Sequence, residues 1–168
     1  MDHLVRQFDR DLDNLKQKLL RMAATAELMI KQTISELVER DRNLARDVRA
    51  EEQEVNRLQL EIDEAAMALL ATQQPVAADL RFILVAIRIN GEIERIGDLA
   101  INITQNVDTL LEQPPLKPLI DIPMMADVAQ QMVRESLHAF VRRDVLQAQN
   151  VIANDDKVDA FKNQIIRE

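Results

Sequence analysis

Apolar residues recur at steps of three and four through most of this chain, and that spacing fits one kind of secondary structure. From Leu4 to about Val38 the series Leu4, Phe8, Leu12, Leu15, Leu19, Met22, Ala26, Met29 (with Ile30), Thr33, Leu37 has charged residues between its members. It predicts one long amphipathic helix. A second series, Leu44, Val48, Val55, Leu58, Ile62, Ala66, Leu69 and Leu70, halts before Pro75, because proline disfavours helix at the residue preceding it. Pro75 suits the first turn of a third helix, with Asp79 near its positive end. That helix is predicted from Val76 to about Glu112, its apolar face carried by Leu80, Ile83, Leu84, Ile87, Ile93, Ile96, Ala100, Ile103, Val107 and Leu110. Composition agrees: two glycines and five prolines leave little for the turns of a β-sandwich, and 47% apolar with 30% charged residues belongs to a folded globular chain.

The expected fold class is all-α, built as tandem three-helix bundles of which the second is incomplete. Residues 1–113 form the first bundle, and Pro114, Pro115, Pro118 and Pro123 mark a semi-rigid connector over 114–123. Residues 124–168 form part of a second bundle. The case for a second bundle is an internal repeat at a constant offset of 103: Met22 and Met125, Ala26 and Ala129, Met29 and Met132, Arg40 and Arg143, Asp41 and Asp144, Val48 and Val151, Val55 and Val158, Ile62 and Ile165 are identical pairs. The second copy stops at Glu168, partway along its second helix. That leaves two readings, a chain cut short or a helix supplied by another subunit. In the second, exposed apolar surface drives dimerisation.

With no cysteine, the chain has no disulfides, no thiolate nucleophile and no Cys-ligated metal. A formal charge of −8, 2% aromatic residues and no Trp or Tyr remove both the basic footprint and the stacking platforms of nucleic-acid binders. The N-terminus lacks the pattern of a secretory signal, and the longest apolar runs, Ala65 to Ala71 and Phe82 to Ile87, are too short for a membrane span. A cytoplasmic location is expected. There is no nucleophile placed beside a base, no nucleotide loop and no zinc-hydrolase histidine pair, so no enzyme is expected.

Chemistry concentrates in the third helix. Every fourth residue gives Asn90, Glu94, Asp98, Asn102 and Asn106, a polar seam on an otherwise apolar helix. Glu94 and Asp98 are like charges one turn apart, a spacing that destabilises a helix unless a cation lies nearby. Both glycines of the chain, Gly91 and Gly97, sit beside them, although each costs about 1 kcal/mol relative to alanine in a helix. Missing side chains would let a neighbouring helix or an ion approach the backbone closely. Oxygen-only ligands of this kind suit Mg²⁺, Mn²⁺ or iron, and zinc less well. The competing reading is an ordinary charged face, Glu94 paired with Arg88 and Asp98 in water.

Glu94, Arg95, Ile96, Gly97, Asp98, Ala100, Asn102 and Ile103 resemble the signature helix of the PhoU family of phosphate-transport regulators, and Pro75, Val76, Ala77, Ala78, Asp79, Leu80 and Arg81 resemble its other signature. The resemblance spans the chain, since the family is built from two three-helix bundles. It implies a cytoplasmic, non-enzymatic, metal-binding regulator that contacts the ATPase subunit of a phosphate ABC transporter and a sensor histidine kinase, and that keeps the phosphate regulon repressed when phosphate is plentiful. The family's metal motif maps onto Glu94 and Asp98. Acids of the second helix can complete the cluster, which makes Glu52 a candidate ligand, and Asn102 on the seam is another. Arg81, in the second signature, is a candidate for binding an anion or partner, or simply covers the helix entry. Leu99 stands where the family usually has histidine, and the second signature, expected near position 197, lies beyond Glu168.

Two other features are weaker. Glu135 and His138 form a Glu-x-x-His pair, the unit that di-iron bundles use twice, but the repeat aligns them with Gln32 and Ser35. A di-metal oxidase is therefore the alternative enzyme reading, and a plain helical scaffold the alternative without an ion. His3 lies at the chain's start.

Overall fold

The computed structural model describes residues 2–115 and 117–167, with side chains from residue 6 onward, so His3 and Leu4 lie outside the described side chains. The described residues form five helices and no strand: α1 (Asp2–Glu39), α2 (Leu44–Gln73), α3 (Ala77–Leu110), α4 (Asp121–Arg142) and α5 (Val145–Arg167). No helix among them is long and apolar enough to cross a membrane.

The three-and-four spacing puts Leu15, Leu19, Met22, Ala26 and Met29 of α1 on one face, and all are fully buried against Val48, Val55, Leu58 and Ile62 of α2 and Ile83, Ala86, Ile93 and Ala100 of α3. Each such leucine contributes about 1.5–3 kcal/mol by leaving water. Contacts between α2 and α3 run in opposite chain directions, from Asn90 beside Asp63 to Asp108 beside Arg49, so the bundle is antiparallel. Its outer surface carries an ion-pair chain from Lys18 to Glu61, Arg57, Glu54 and Arg21. Exposed pairs of this kind add little each. Arg57 holds the Glu54 carboxyl below the usual glutamate range, and Lys18 does the same for Glu61.

The expected face of α3 needs correction. Its buried residues are Phe82, Ile83, Ala86, Asn90, Ile93, Gly97, Ala100, Thr104 and Val107, whereas Leu80, Leu84, Ile103 and Leu110 face solvent. This helix carries more apolar side chains than one face can hold, and α1 and α2 cover the face that is richer in small residues.

Both key prolines sit differently from the sequence reading. Pro75 is not in a helical turn: Gln74 caps α2 in the left-handed region at φ 46°, Val76 is extended, and α3 begins at Ala77. Pro123, placed in the connector, lies in the first turn of α4, where a missing N–H goes unnoticed because the first four have no helical partner. The segment between α3 and α4 is therefore 111–120 rather than 114–123.

The 103-residue repeat is visible in the backbone. α1 and α4 end at Glu39 and Arg142, and each is followed by an arginine in the left-handed region, Arg40 at φ 59° and Arg143 at φ 57°. The next residue also repeats its role: Asp41 accepts the Asn43 N–H and Asp144 the Gln147 N–H, both at 2.9 Å. The two arginines then diverge. Arg40 donates to the carbonyls of Leu111 (2.9 Å) and Gln113 (2.6 Å) beyond the end of α3, closing the first bundle. Arg143 pairs with Asp79 at 3.2 Å and lies 5.7 Å from the centre of the Phe82 ring. The α4–α5 hairpin leans on the first bundle through α4, which packs on α1 and stacks Phe140 on Phe82 at 4.5 Å. Among the helices, α5 packs chiefly on α4, and it presents Val145, Leu146, Ile152 and Ile166 to solvent.

Candidate metal centre on the third helix

The polar seam is not a single face. Four residues advance an α-helix by about 40° beyond a full turn, so the side chains rotate progressively out of the bundle. Asn90 is buried; its Nδ2 donates to the Gln59 carbonyl and to Asp63 Oδ1, both at 2.9 Å, and its Oδ1 has no partner. Glu94 is half-buried, and Asp98, Asn102 and Asn106 are exposed. Asn106 turns back to the Asn102 carbonyl at 2.8 Å. The seam therefore divides into a structural tie at Asn90, a carboxylate pair at Glu94 and Asp98, and a solvated end.

The pair behaves as two acids held together without a counter-charge. Burial pushes the Glu94 carboxyl above the usual glutamate range, and the Asp98 charge pushes it further the same way. No basic side chain among the described residues pairs with either acid, Arg88 included. Of the ordinary charged-face reading, the solvent-facing Asp98 is found, whereas a pairing of Glu94 with Arg88 is not found among the described residues. The chemistry of this donor set, two hard carboxylate oxygens groups one turn apart with an unpaid repulsion, fits a hard divalent or trivalent cation.

No three acidic or imidazole side chains among the described residues converge as a metal-holding group, so Glu52, half-buried on α2, does not join Glu94 and Asp98 in one, while Asn102 lies exposed one turn beyond Asp98. Glu135 is engaged by Gln131 at 2.7 Å, while His138 lines a small recess of about 190 Å³ against Leu20, Ala23 and Glu27 of α1. Glu135 is thus tied within α4, and only His138 of the Glu-x-x-His unit faces α1. Arg81 stands at the rim of an apolar groove of about 520 Å³ where α3, α4 and α5 meet, with Phe82, Phe140 and Arg143 as neighbours.

The two glycines have different roles. A Cβ at Gly97 would meet Val55 Cγ1 at 3.4 Å and the Met29 Cε and Sδ atoms at 3.7 Å, so this residue is the point of close approach between α3, α2 and α1. Gly91 is exposed with nothing within 4 Å of such a Cβ, and the close-approach argument fails there.

Sequence reasoning missed Glu36. It is fully buried on α1, one step beyond Thr33 in the apolar series, and neither carboxylate oxygen has a hydrogen-bond partner. The signal was available: an acid at the i+3 position from Thr33, where the series calls for an apolar residue.

The PhoU domain family model matches residues 19–107 and 122–168, the first bundle's core and the α4–α5 hairpin. The chain belongs to the PhoU family. It is 33% identical to a phosphate-specific transport system accessory protein PhoU homolog of Aquifex aeolicus over 159 residues, 95% of this chain and 72% of that protein. It is 30% identical to the PhoU accessory protein of Escherichia coli over 166 residues, 99% of this chain and 69% of that one. The crystal structure of PhoU from Pseudomonas aeruginosa superposes with a TM-score of 0.88 at 30% identity, over 95% of this chain and 77% of that one. A Streptococcus pneumoniae PhoU structure shares the fold with a TM-score of 0.80 at 22% identity, over 92% of this chain and 72% of that one. The Glu94–Asp98 turn lies in the middle of α3, and Pro75–Arg81 lead into its first turn.

Proposed function

We propose that this chain is an accessory regulator of phosphate transport, acting by contact rather than by catalysis. The observation that carries the reading is the PhoU match over both halves of the chain, joined to relatives named as accessory proteins of a phosphate-specific transport system. In this reading the chain works at the cytoplasmic side of a phosphate ABC transporter, meets its ATPase subunit, and passes the transporter's state to a sensor histidine kinase, holding the phosphate regulon down when phosphate is plentiful.

Glu94 and Asp98 would hold the metal, an ion such as Mg²⁺, Mn²⁺ or iron that neutralises the paired acids and stiffens the middle of α3. Support comes from the raised Glu94 carboxyl and the lack of any basic partner. The exposed apolar residues of α5, Val145, Leu146, Ile152 and Ile166, support a homodimer as the working form.

The test is complementation. Expressed in a bacterium that lacks its own PhoU, the chain is expected to restore repression of a phosphate-regulon reporter in high phosphate and to leave its induction in low phosphate intact. A reporter that stays fully induced at high phosphate, with the chain folded and abundant, would refute the regulatory reading.

A further inference from the structure

The outward side of α3 mixes positive charge with apolar surface. Arg81, Arg88 and Arg95 stand seven residues apart on it, and all three are exposed. Seven residues close two helical turns to within about 20°, so the three guanidinium groups follow one line along the helix at steps of about 10 Å. Leu84 and Leu99 lie on the same side with Val85 and Ile103 at its edge, and all four are exposed. The residues that α3 buries, from Phe82 to Val107, face the other way.

The fold makes no use of these arginines. Elsewhere basic side chains serve the helices: Arg49 meets Asp108, Arg57 meets Glu54 and Glu61, Arg134 meets Glu27, and Arg143 meets Asp79. None of Arg81, Arg88 and Arg95 makes an ion pair or hydrogen bond among the described residues. Glu92 is the acid on this side, one turn from Arg88, and it pairs with neither Arg88 nor Arg95. Three arginines and one glutamate leave a charge of +2 here, on a chain whose formal net charge is −8. A face meant only for water needs charges but gains nothing from exposed leucines. A docking face uses both, because arginine and well-covered apolar side chains carry much of the energy at protein interfaces.

We propose that this side of α3 docks an acidic amphipathic helix of a partner protein. Its carboxylates, at seven-residue steps, meet Arg81, Arg88 and Arg95, and its apolar residues cover Leu84 and Leu99. A helix suits the line because it offers the same repeat over the same length, and unpaired guanidinium groups pair well with carboxylates. An anionic bilayer suits it less. A membrane plane faces the whole chain, whose negative charge it repels, whereas one helix meets the line alone. The surface lies round the helix from the Glu94–Asp98 turn and does not depend on the phosphate reading, so complementation and docking fail separately.

Fluorescence anisotropy of the full chain with labelled synthetic helices of about 21 residues, long enough to hold helical structure, tests the proposal. The first helix carries glutamate at every seventh position beside a leucine stripe, the second carries lysine at those positions, and the third has its glutamates moved to the side opposite the leucines. Only the first is expected to bind. Replacing all three arginines, Arg81→Gln, Arg88→Gln and Arg95→Gln, is expected to weaken that binding about tenfold or more with helical circular dichroism unchanged, as three exposed ion pairs allow. Leu99→Ser is expected to weaken it about threefold. Equal binding of the first and third helices, or full binding by the chain without its three arginines, would overturn the proposal. Binding of no helix would overturn it too, and if phosphatidylserine vesicles then bound the chain, the line would belong to a membrane surface.

Discussion

Gly97→Leu is expected to destabilise the first bundle by about 2 kcal/mol, while Gly97→Ala is expected to be neutral or to stabilise it by up to about 1 kcal/mol. The difference follows from the space at this position. A single methyl group meets Val55 and Met29 at ordinary van der Waals distance, and alanine recovers the helix propensity that glycine gives away. Leucine must push the same two side chains, which are fully buried and have no room to yield. Urea unfolding of the two variants checks this, and equal midpoints for leucine and alanine would remove Gly97 as the point where three helices meet. Gly91 provides the control. With open space around it, Gly91→Ala is free to gain helix propensity and Gly91→Leu brings no clash.

The second large effect concerns pH. Burial pushes the Glu36 carboxyl above its ordinary value of 4.5, with Asp108 adding to the shift, and Arg49, Thr104 and Arg42 opposing it. The folded state therefore holds this proton more tightly than the unfolded chain does. Between the ordinary value and the raised one the folded state binds more protons, so stability falls as pH rises through that window and levels off above it. Glu36→Gln is expected to flatten this decline and to gain about 1–3 kcal/mol over wild type at alkaline pH, since the amide carries no charge to bury. Near the ordinary value the two proteins should converge. A wild-type stability that climbs steadily with pH would show that Glu36 is ionised at little cost.

Much of the architecture was legible in the sequence because helices are written in spacing. The series from Leu4 to Val38 and from Leu44 to Leu70 gave α1 and α2 nearly to their ends, and the repeat correctly paired Arg40 with Arg143, whose shared backbone conformation no propensity would suggest. The failures came where a local rule met a tertiary choice. Pro75 and Pro123 each satisfied a proline rule, but which proline enters a helix depended on how the chain turns between bundles. The seam from Asn90 to Asn106 followed a period of four where the helix turns every 3.6 residues, so its two ends point in different directions. Gly91 and Gly97 look alike in sequence, and only the neighbours of each distinguish them. Glu36 was passed over because a single acid in an apolar series reads as an interruption, whereas its consequence depends on how deeply the packed bundle buries it.

The proposed regulator depends on the turn of α3 that carries Glu94 and Asp98 accepting a cation. The direct measurement is the metal content, by mass spectrometry of the purified chain, of wild type and of the double variant Glu94→Gln, Asp98→Asn, alongside helical circular dichroism. Wild type is expected to retain bound divalent or trivalent metal and the double variant to lose it with its helix content unchanged. Equal metal in both proteins, or none in either after growth and purification with added Mg²⁺, Mn²⁺ and iron, would contradict the account.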